Sequence, residues 1–167
     1  YCTNAITKHG EHGNALLSRW PVLQHRHEDM SDHRLEQRGL LHVSVHMQAR
    51  EVHVIVVHLG LLPGSRIRQT QQLHDFIARE VPADAPLLVA GDFNDWRNTI
   101  SKPMGQAGFV DVFESLYGAP ARTFPSVRPV LPMDRIYVRG LSIQKAEILT
   151  EWSKLSDHLA IYAELGH

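Results

Sequence analysis

Cysteine is nearly absent from this chain of 167 residues, which contains one, Cys2. A single cysteine excludes an intrachain disulfide and a zinc site built on several thiolates. No apolar run approaches the roughly 20 residues that a membrane-spanning helix requires, and no signal peptide is visible. These absences predict a cytoplasmic protein without a stable membrane anchor.

A dominant charge of one sign is also lacking. The chain has 17 Lys and Arg against 18 Asp and Glu, a formal net charge of −1 with histidines neutral. No overall basic field therefore indicates a nucleic-acid partner. Histidine is abundant, with 12 residues, and partial protonation near neutral pH makes a histidine-rich surface mildly cationic. No pattern indicates an obligate protein partner.

The start of the chain lacks an initiator methionine. Tyr1-Cys2-Thr3-Asn4 leads almost directly into residues typical of strands, so we expect the chain to begin inside a longer protein. The length and an apolar content of 43% are sufficient for one domain, 1–167, with its own core.

Alternating apolar residues over 40–47 predict a half-exposed antiparallel strand, with His42 and Ser44 on its polar face, that pairs with a strand over 52–59. Ser65 is the predicted N-cap of a helix over 66–80. The apolar run 86–90 predicts a buried strand. Further strands are predicted at 14–19, 134–138, 143–149 and 159–165, short helices within 98–107 and 110–116, a surface connection at 24–37 and an extended loop at 119–132. The fold class is α/β or α+β with the sheet dominant.

Polar side chains stand where apolar strands start or stop. They are His58, Asp92 and Asn94 in Gly91-Asp92-Phe93-Asn94-Asp95, Asp134, and Asp157 with His158. Each alone also fits a turn, a loop cap or a solvated strand end. Their coincidence at the edges of one sheet favours a shared site instead.

Together these groups supply the parts needed to hydrolyse a phosphate ester. An aspartate can take a proton from water, a histidine can stabilise or protonate, and a second aspartate can fix the histidine tautomer. Oxygen ligands can hold Mg²⁺, which neutralises charge on a phosphoryl group. A transition-metal site on His25 and His27, or on His42 and His46, is a rival reading that no carboxylate pattern supports.

Five segments in order resemble the endonuclease/exonuclease/phosphatase superfamily, which contains pancreatic deoxyribonuclease, apurinic site endonucleases, inositol polyphosphate phosphatases and bacterial sphingomyelinases. A combination of four segments is most similar to a bacterial branch of predicted hydrolases in that superfamily, namely His58-Leu59-Gly60-Leu61, Asp92 to Trp96, Arg122-Thr123-Phe124-Pro125 and Leu155 to His158. The five segments that carry the resemblance to the superfamily are Gly13 to Arg19, Val57-His58-Leu59, Gly91 to Trp96, Met133 to Tyr137 and Leu155 to His158. The resemblance implies a four-layer α/β/β/α sandwich of two mixed sheets, lacking its N-terminal strands here, with the site at one rim.

The resemblance also implies residue roles. Asp92 positions and deprotonates the attacking water, and His158, oriented by Asp134, stabilises charge on the scissile phosphate. Asn94 holds a phosphate oxygen, or the metal through water, and His58 contacts phosphate near the leaving group or acts as a general acid. Asp157, with Asp92, is a metal ligand or a partner of one. Asn14 lines the cleft or serves in a turn, and Arg38 is an accessory phosphate contact or a solvated arginine.

One departure concerns the metal. The superfamily's principal metal ligand is a glutamate on an earlier strand, and Glu11, Glu28 and Glu36 stand in the wrong contexts to replace it. We therefore expect Mg²⁺ or Mn²⁺ to bind weakly to this chain or not at all.

Two classes of function remain open at this stage. One is a divalent-metal-dependent phosphoesterase that acts on a phosphodiester, such as nucleic acid, or on a phosphoinositide or another small phosphate ester. The other is a phosphate-binding or scaffold protein on the same fold that is no longer catalytic.

Overall fold

The computed structural model describes residues 1–8, 10–33, 36–47 and 49–166. These residues form ten strands, three α-helices and a short 3₁₀ helix at Thr150–Trp152. The elements are β1 (Cys2–Thr7), β2 (Gly10–Asn14), β3 (Val22–Asp29), β4 (Gly39–Met47), β5 (Arg50–His58), α1 (Pro63–Glu80), β6 (Leu87–Asp92), α2 (Ser101–Gln106), β7 (Val110–Asp111), α3 (Val112–Tyr117), β8 (Asp134–Arg139), β9 (Ser142–Leu149) and β10 (Ala160–Gly166). Within the described part of the chain, no helix has the length and apolar character needed to cross a bilayer.

Six strands form one mixed sheet in the order β3-β4-β5-β6-β8-β7. The pair β5 and β6 is parallel, and the other neighbours are antiparallel. Parallel neighbours need a crossover connection, which α1 supplies between β5 and β6. Both strands therefore end at the same edge of the sheet, and β8 begins there.

The helices α1 and α2 cover one face of this sheet. Leu73, Phe76 and Ile77 of α1 pack with Ile55 and Val89 in a buried apolar cluster. The i, i+3, i+4 spacing of the α1 residues places them on one side of the helix, as the sequence predicts.

The opposite face carries two antiparallel hairpins, β1 with β2 and β9 with β10. Ile148 and Ile161 of the second hairpin pack against Ile136 and Val138 of the large sheet. The order is helices, six-stranded sheet and further strands, which confirms the predicted mixed α/β class and stacked sheets. The second sheet is represented here by the two separate hairpins.

Three local predictions are wrong. The strand predicted at 14–19 lies earlier, because β2 ends at Asn14, and Leu17 is 97% exposed. Residues 24–37 are not simply a surface connection, because β3 pairs with β4 along this stretch. The helix begins at Pro63 with Leu62 as N-cap, and Ser65 donates a hydrogen bond to Asp32 instead of capping.

The strand over 40–47 is confirmed, but its half-exposed character is wrong. His42 and Ser44 are fully buried, because α1 covers the face on which they lie. The His42 ring meets the edge of Phe76 with centroids 5.5 Å apart. Its Nε2 lies 2.9 Å from Nδ1 of His53 on the neighbouring strand.

Candidate active site

Three neighbouring strands bring the central polar residues to one sheet edge. His58 ends β5 and is in register with Asp92 at the end of β6. Asp92 is in turn paired with Asp134 at the start of β8. The sequence folds this way because apolar runs build the buried strands and the polar residues stand where those runs stop.

A cavity of about 500 Å³ opens at this edge. The cavity is lined by six residues that the sequence predicts for the site and by three apolar side chains. The six predicted residues are His58, Asp92, Asn94, Asp134, Asp157 and His158, and the apolar ones are Leu61, Phe124 and Met133. The structure thus places residues from four separate segments around one space large enough for a phosphate group and its ester.

Asp134 and His158 form a direct polar contact in this cavity. Nδ1 of His158 lies 2.7 Å from Oδ2 of Asp134, which also accepts a hydrogen bond of 2.5 Å from the Thr123 hydroxyl. The Phe124 ring lies 4.9 Å from the imidazole. Partial burial lowers the pKa of His158, but the bond to Asp134 and the charges of Asp134, Asp92 and Asp157 outweigh it, so the pKa is raised overall.

Asp92 lies deeper in the cavity. Burial, with the nearby charge of Asp134, raises its pKa to about 6, although the hydrogen bond from the Asn94 amide opposes the shift. That amide lies 2.8 Å from Oδ1. A carboxylate with a pKa near the ambient pH is suited to accept a proton from water during a reaction.

His58 faces Asp92, with 3.5 Å between Nε2 and Oδ2. Burial and the charge of Arg38 lower the pKa of His58 to about 4. The ring is therefore neutral at neutral pH, and a neutral imidazole can hydrogen-bond a phosphate but carries no extra proton for a leaving group. Hydrogen bonding suits this residue better than the general-acid role that the resemblance implies.

The loop after β5 shapes the cavity wall. The Asn94 side chain donates to the Leu59 carbonyl at 2.8 Å, and Gln69 accepts from the Gly60 amide at 2.7 Å. Arg66 is buried and donates to the Gly60 and Leu61 carbonyls. Side chains from distant parts of the chain thus hold the loop backbone, so its shape does not depend on a ligand.

Two predicted substrate contacts lie elsewhere. Asn14 is buried, and its Nδ2 donates to the carbonyls of Gly39 and Val56 at 2.7 and 3.0 Å. It therefore has a structural role and does not line the described cavity. Arg38 lines a neighbouring cavity that meets the first at His58.

Three residues of the site have no role in the sequence-based assignment. Thr123 and Phe124 come from the proline-containing loop, and their signal was their place in one of the recognised motifs. Glu36 accepts from the Leu61 amide at 3.0 Å and lies 3.2 Å from Arg38. No periodic pattern marks Glu36, because it lies in the irregular stretch between β3 and β4.

A family model for the endonuclease/exonuclease/phosphatase family matches residues 1–158. This chain belongs to that family. The match includes all the strand-end residues of the cavity and nearly the whole chain, so the resemblance of the five sequence segments is confirmed at the level of the family.

Relatives of known sequence include an uncharacterized protein, YbhP, of Escherichia coli K12. It is 42% identical over 170 residues, which cover 99% of this chain and 67% of the relative. A UPF0294 protein of Vibrio vulnificus is 33% identical over 92 residues, covering 53% of this chain and 30% of that protein.

Solved structures of family members share the fold at lower identity. A functionally unknown conserved protein from Enterococcus faecalis V583 has a TM-score of 0.73 at 22% identity, covering 87% of this chain and 66% of that one. D. rerio TDP2, solved with single-strand DNA product, has a TM-score of 0.70 at 23% identity, and the match covers 87% of this chain and 68% of that one. A mannosyl-6-phosphatase from Bacteroides thetaiotaomicron has a TM-score of 0.71 at 13% identity, and the match covers 89% of this chain and 67% of that one.

Enzymes of this family generally use divalent metals, so the donor set of the cavity matters. Asp92 and Asp157 line it, and the negative charge of each helps to raise the pKa of His158. Mg²⁺ is often held by one or two carboxylates plus substrate phosphate, with water completing the shell, and these two side chains fit that kind of binding. Among the described residues no group of three or more His, Cys, Asp or Glu forms a metal cage.

Proposed function

We propose that this protein hydrolyses a phosphoester, in the first place a phosphodiester, with the aid of a divalent cation such as Mg²⁺. The observation that carries the proposal is the shared cavity, in which a carboxylate with a raised pKa, Asp92, accompanies the bonded pair Asp134 and His158. A proton acceptor can activate water, and a protonated imidazole can stabilise charge that develops on the phosphoryl oxygens, and both effects accelerate phosphoester hydrolysis.

The proton transfers and the bond changes of the reaction are divided among three residues. Asp92 takes a proton from water as the water oxygen forms a bond to phosphorus, and the bond from phosphorus to the ester oxygen breaks. The departing alkoxide takes a proton from solvent. Protonated His158 donates to a phosphoryl oxygen on which charge develops, and Asp134 keeps its imidazole oriented.

Neutral groups complete the binding of the phosphate. Asn94 is buried at the cavity, and neutral His58 lies beside Asp92; we assign both to hydrogen bonds with phosphate oxygens. A cation held by Asp92 and Asp157 supplies neutralisation of phosphate charge when bound. Two structural neighbours, TDP2 with a DNA product and a mannosyl-6-phosphatase, support phosphoesters as the substrate class and leave the esterified group open.

The test is turnover of bis-para-nitrophenyl phosphate by the complete gene product with and without Mg²⁺. We expect Asp92→Asn and His158→Ala each to lower kcat/KM by about a hundredfold or more, because each removes a group needed in the transition state. Asp84→Asn and His25→Ala, which change exposed residues outside the site, serve as matched controls. Metal-dependent turnover that survives both site substitutions would refute the assigned roles, and phosphate binding without any turnover would favour a non-catalytic binding protein.

A further inference from the structure

A second cavity, of about 660 Å³, adjoins the candidate active site. His58 and Leu61 line both spaces, so a ligand whose phosphate lies beside Asp92 and His158 has room to extend past His58 into this second compartment. The rest of the second cavity is formed by the β1–β2 hairpin and the segment before β4, which meet across the loop that follows β5.

The walls of the second cavity are polar but hold few fixed charges. Asn4 and Gln37 contribute neutral amides, and Leu61 and Leu62 contribute apolar surface. The imidazoles of His12, His33 and His58 also line it. Apart from these histidines, the ionisable side chains among the described lining residues are Arg38 and Glu36.

The carboxylate of Glu36 pairs with the guanidinium of Arg38 and neutralises its charge. The carboxylate Oε1 lies 3.2 Å from a terminal nitrogen of Arg38, and the two side chains are only 12% and 18% exposed. Arg38 is also anchored by the Leu59 carbonyl, to which its Nε donates at 3.3 Å. A second anion entering this space would meet a cation that already has a partner.

The backbone fixes the position of Glu36. The Leu61 amide donates to Oε1 at 3.0 Å, and Oε2 is buried beside Gly60 without a hydrogen-bond partner. A Cβ at Gly60 would lie 2.6 Å from Oε2, so glycine is what allows this close approach. These contacts hold the carboxylate against the loop that follows β5, at the wall of the second cavity.

We propose that the second cavity binds the uncharged, hydroxyl-bearing part of the phosphoester, such as a sugar or another polyol, and that Glu36 selects against substrates with a second anionic group there. The proposal rests on the proposed function of the first cavity. Hydroxyls can pair with the amides of Asn4 and Gln37, and the C–H faces of a sugar can pack on Leu61 and Leu62. A polynucleotide, which places further phosphates along its backbone, is disfavoured by the same carboxylate.

The experiment compares two ligands that share one sugar, fructose monophosphate and fructose bisphosphate, by calorimetry and by phosphate release. We expect the wild-type protein to bind the monophosphate about tenfold more tightly, because a second phosphate would lose hydration in a space where Arg38 is already paired with Glu36. Glu36→Gln keeps an oxygen for the Leu61 amide but removes the charge, and should reduce this preference about tenfold. The double variant Glu36→Gln/Arg38→Gln should lose most of the gained bisphosphate affinity, because the unmasked cation is gone.

Glu28→Gln is the matched control, because Glu28 also pairs with an arginine, Arg79, and neither residue lines either cavity; it should leave the preference unchanged. An unaltered preference in Glu36→Gln, tighter binding of the bisphosphate by the wild type, or binding of neither sugar phosphate overturns the proposal. Binding with the expected preference but no turnover of any phosphoester instead overturns the proposed function and leaves the charge selectivity of the cavity established.

Discussion

Asp134 is the residue on which the two ionisable centres of the cavity both depend. It accepts a hydrogen bond from the His158 ring and stabilises its charged form. The same carboxylate stands in register with Asp92 across the sheet and disfavours a second negative charge there. One side chain therefore raises the pKa of the proposed base and of the proposed cation together.

Replacing Asp134 with asparagine should move both limbs of the pH–rate profile to lower pH. The acid limb reports Asp92, whose pKa of about 6 falls once the like charge is removed. The alkaline limb reports His158, whose pKa falls because it loses an anionic partner. The measurement is kcat/KM against pH, with Asp84→Asn as control. Limbs that stay in place, or that move in opposite directions, would contradict this shared dependence.

The strand-end residues of the site were predictable because strand ends are visible as apolar runs that stop. His58, Asp92 and Asp134 need no more than that pattern to be placed at one edge. Thr123, which donates to Asp134, was marked only by its place in a recognised motif. Glu36 was not predictable, because it reaches the second cavity from a stretch without apolar periodicity. The buried, structural role of Asn14 also depends on contacts with strands distant in sequence.

The junction of β5 and β6 shows how an element depends on one backbone position. Gly91 has φ of +144°, a conformation that favours glycine. A Cβ at this position would lie 1.9 Å from the Val57 carbonyl oxygen. The close approach sits one residue before Asp92, so the spacing of the two parallel strands determines where that carboxylate emerges.

Gly91→Ala should destabilise the protein by roughly 3 kcal/mol or more, since it adds backbone strain and overpacking together. Gly105→Ala is the matched comparison, because Gly105 lies in α2 and a Cβ there meets nothing within 4 Å. Helix propensity should make that variant more stable by about 0.5–1 kcal/mol. Urea unfolding measures both changes. Equal changes in the free energy of unfolding from the two substitutions would show that the close contact with Val57 does not determine the stability at Gly91.

Elements with a clear apolar period were predictable, and those held mainly by backbone pairing were not. The strand β4 and the helix α1 each show their period in sequence. The strand β3 contains Gln, His, Arg, Glu and Asp in succession, and it exists because β4 offers its backbone edge. The burial of His42 under α1 was also not predictable. An apolar period in the sequence shows which residues share a face of a strand, but it does not show which element covers that face.

At the scale of the whole molecule, the buried pair of His42 and His53 links the stability of the protein to pH. Burial, then the neighbouring His53, lowers the pKa of His42 to about 4, and burial lowers that of His53. Both rings lie between the large sheet and α1. A proton added to either one must be accommodated inside the main core.

The free energy of unfolding should therefore fall as the pH is lowered from about 6.5, the unfolded pKa of histidine, toward 4. In that window the unfolded chain binds more protons than the folded one. The expected loss is on the order of 2 kcal/mol, measured by urea unfolding at several pH values. His42→Gln should make the slope shallower, while His46→Gln, exposed on the same strand, should not. A slope that His42→Gln leaves intact would assign the acid sensitivity to other groups.

The segment from Leu59 to Leu61 joins these scales, since Asn94, Arg38, Glu36, Gln69 and Arg66 all bind its backbone. A loop whose backbone is held by this many side chains is costly to remodel by mutation. We therefore expect proteins related to this chain to keep the backbone path of this loop and to differ in the side chains that face it across the two cavities.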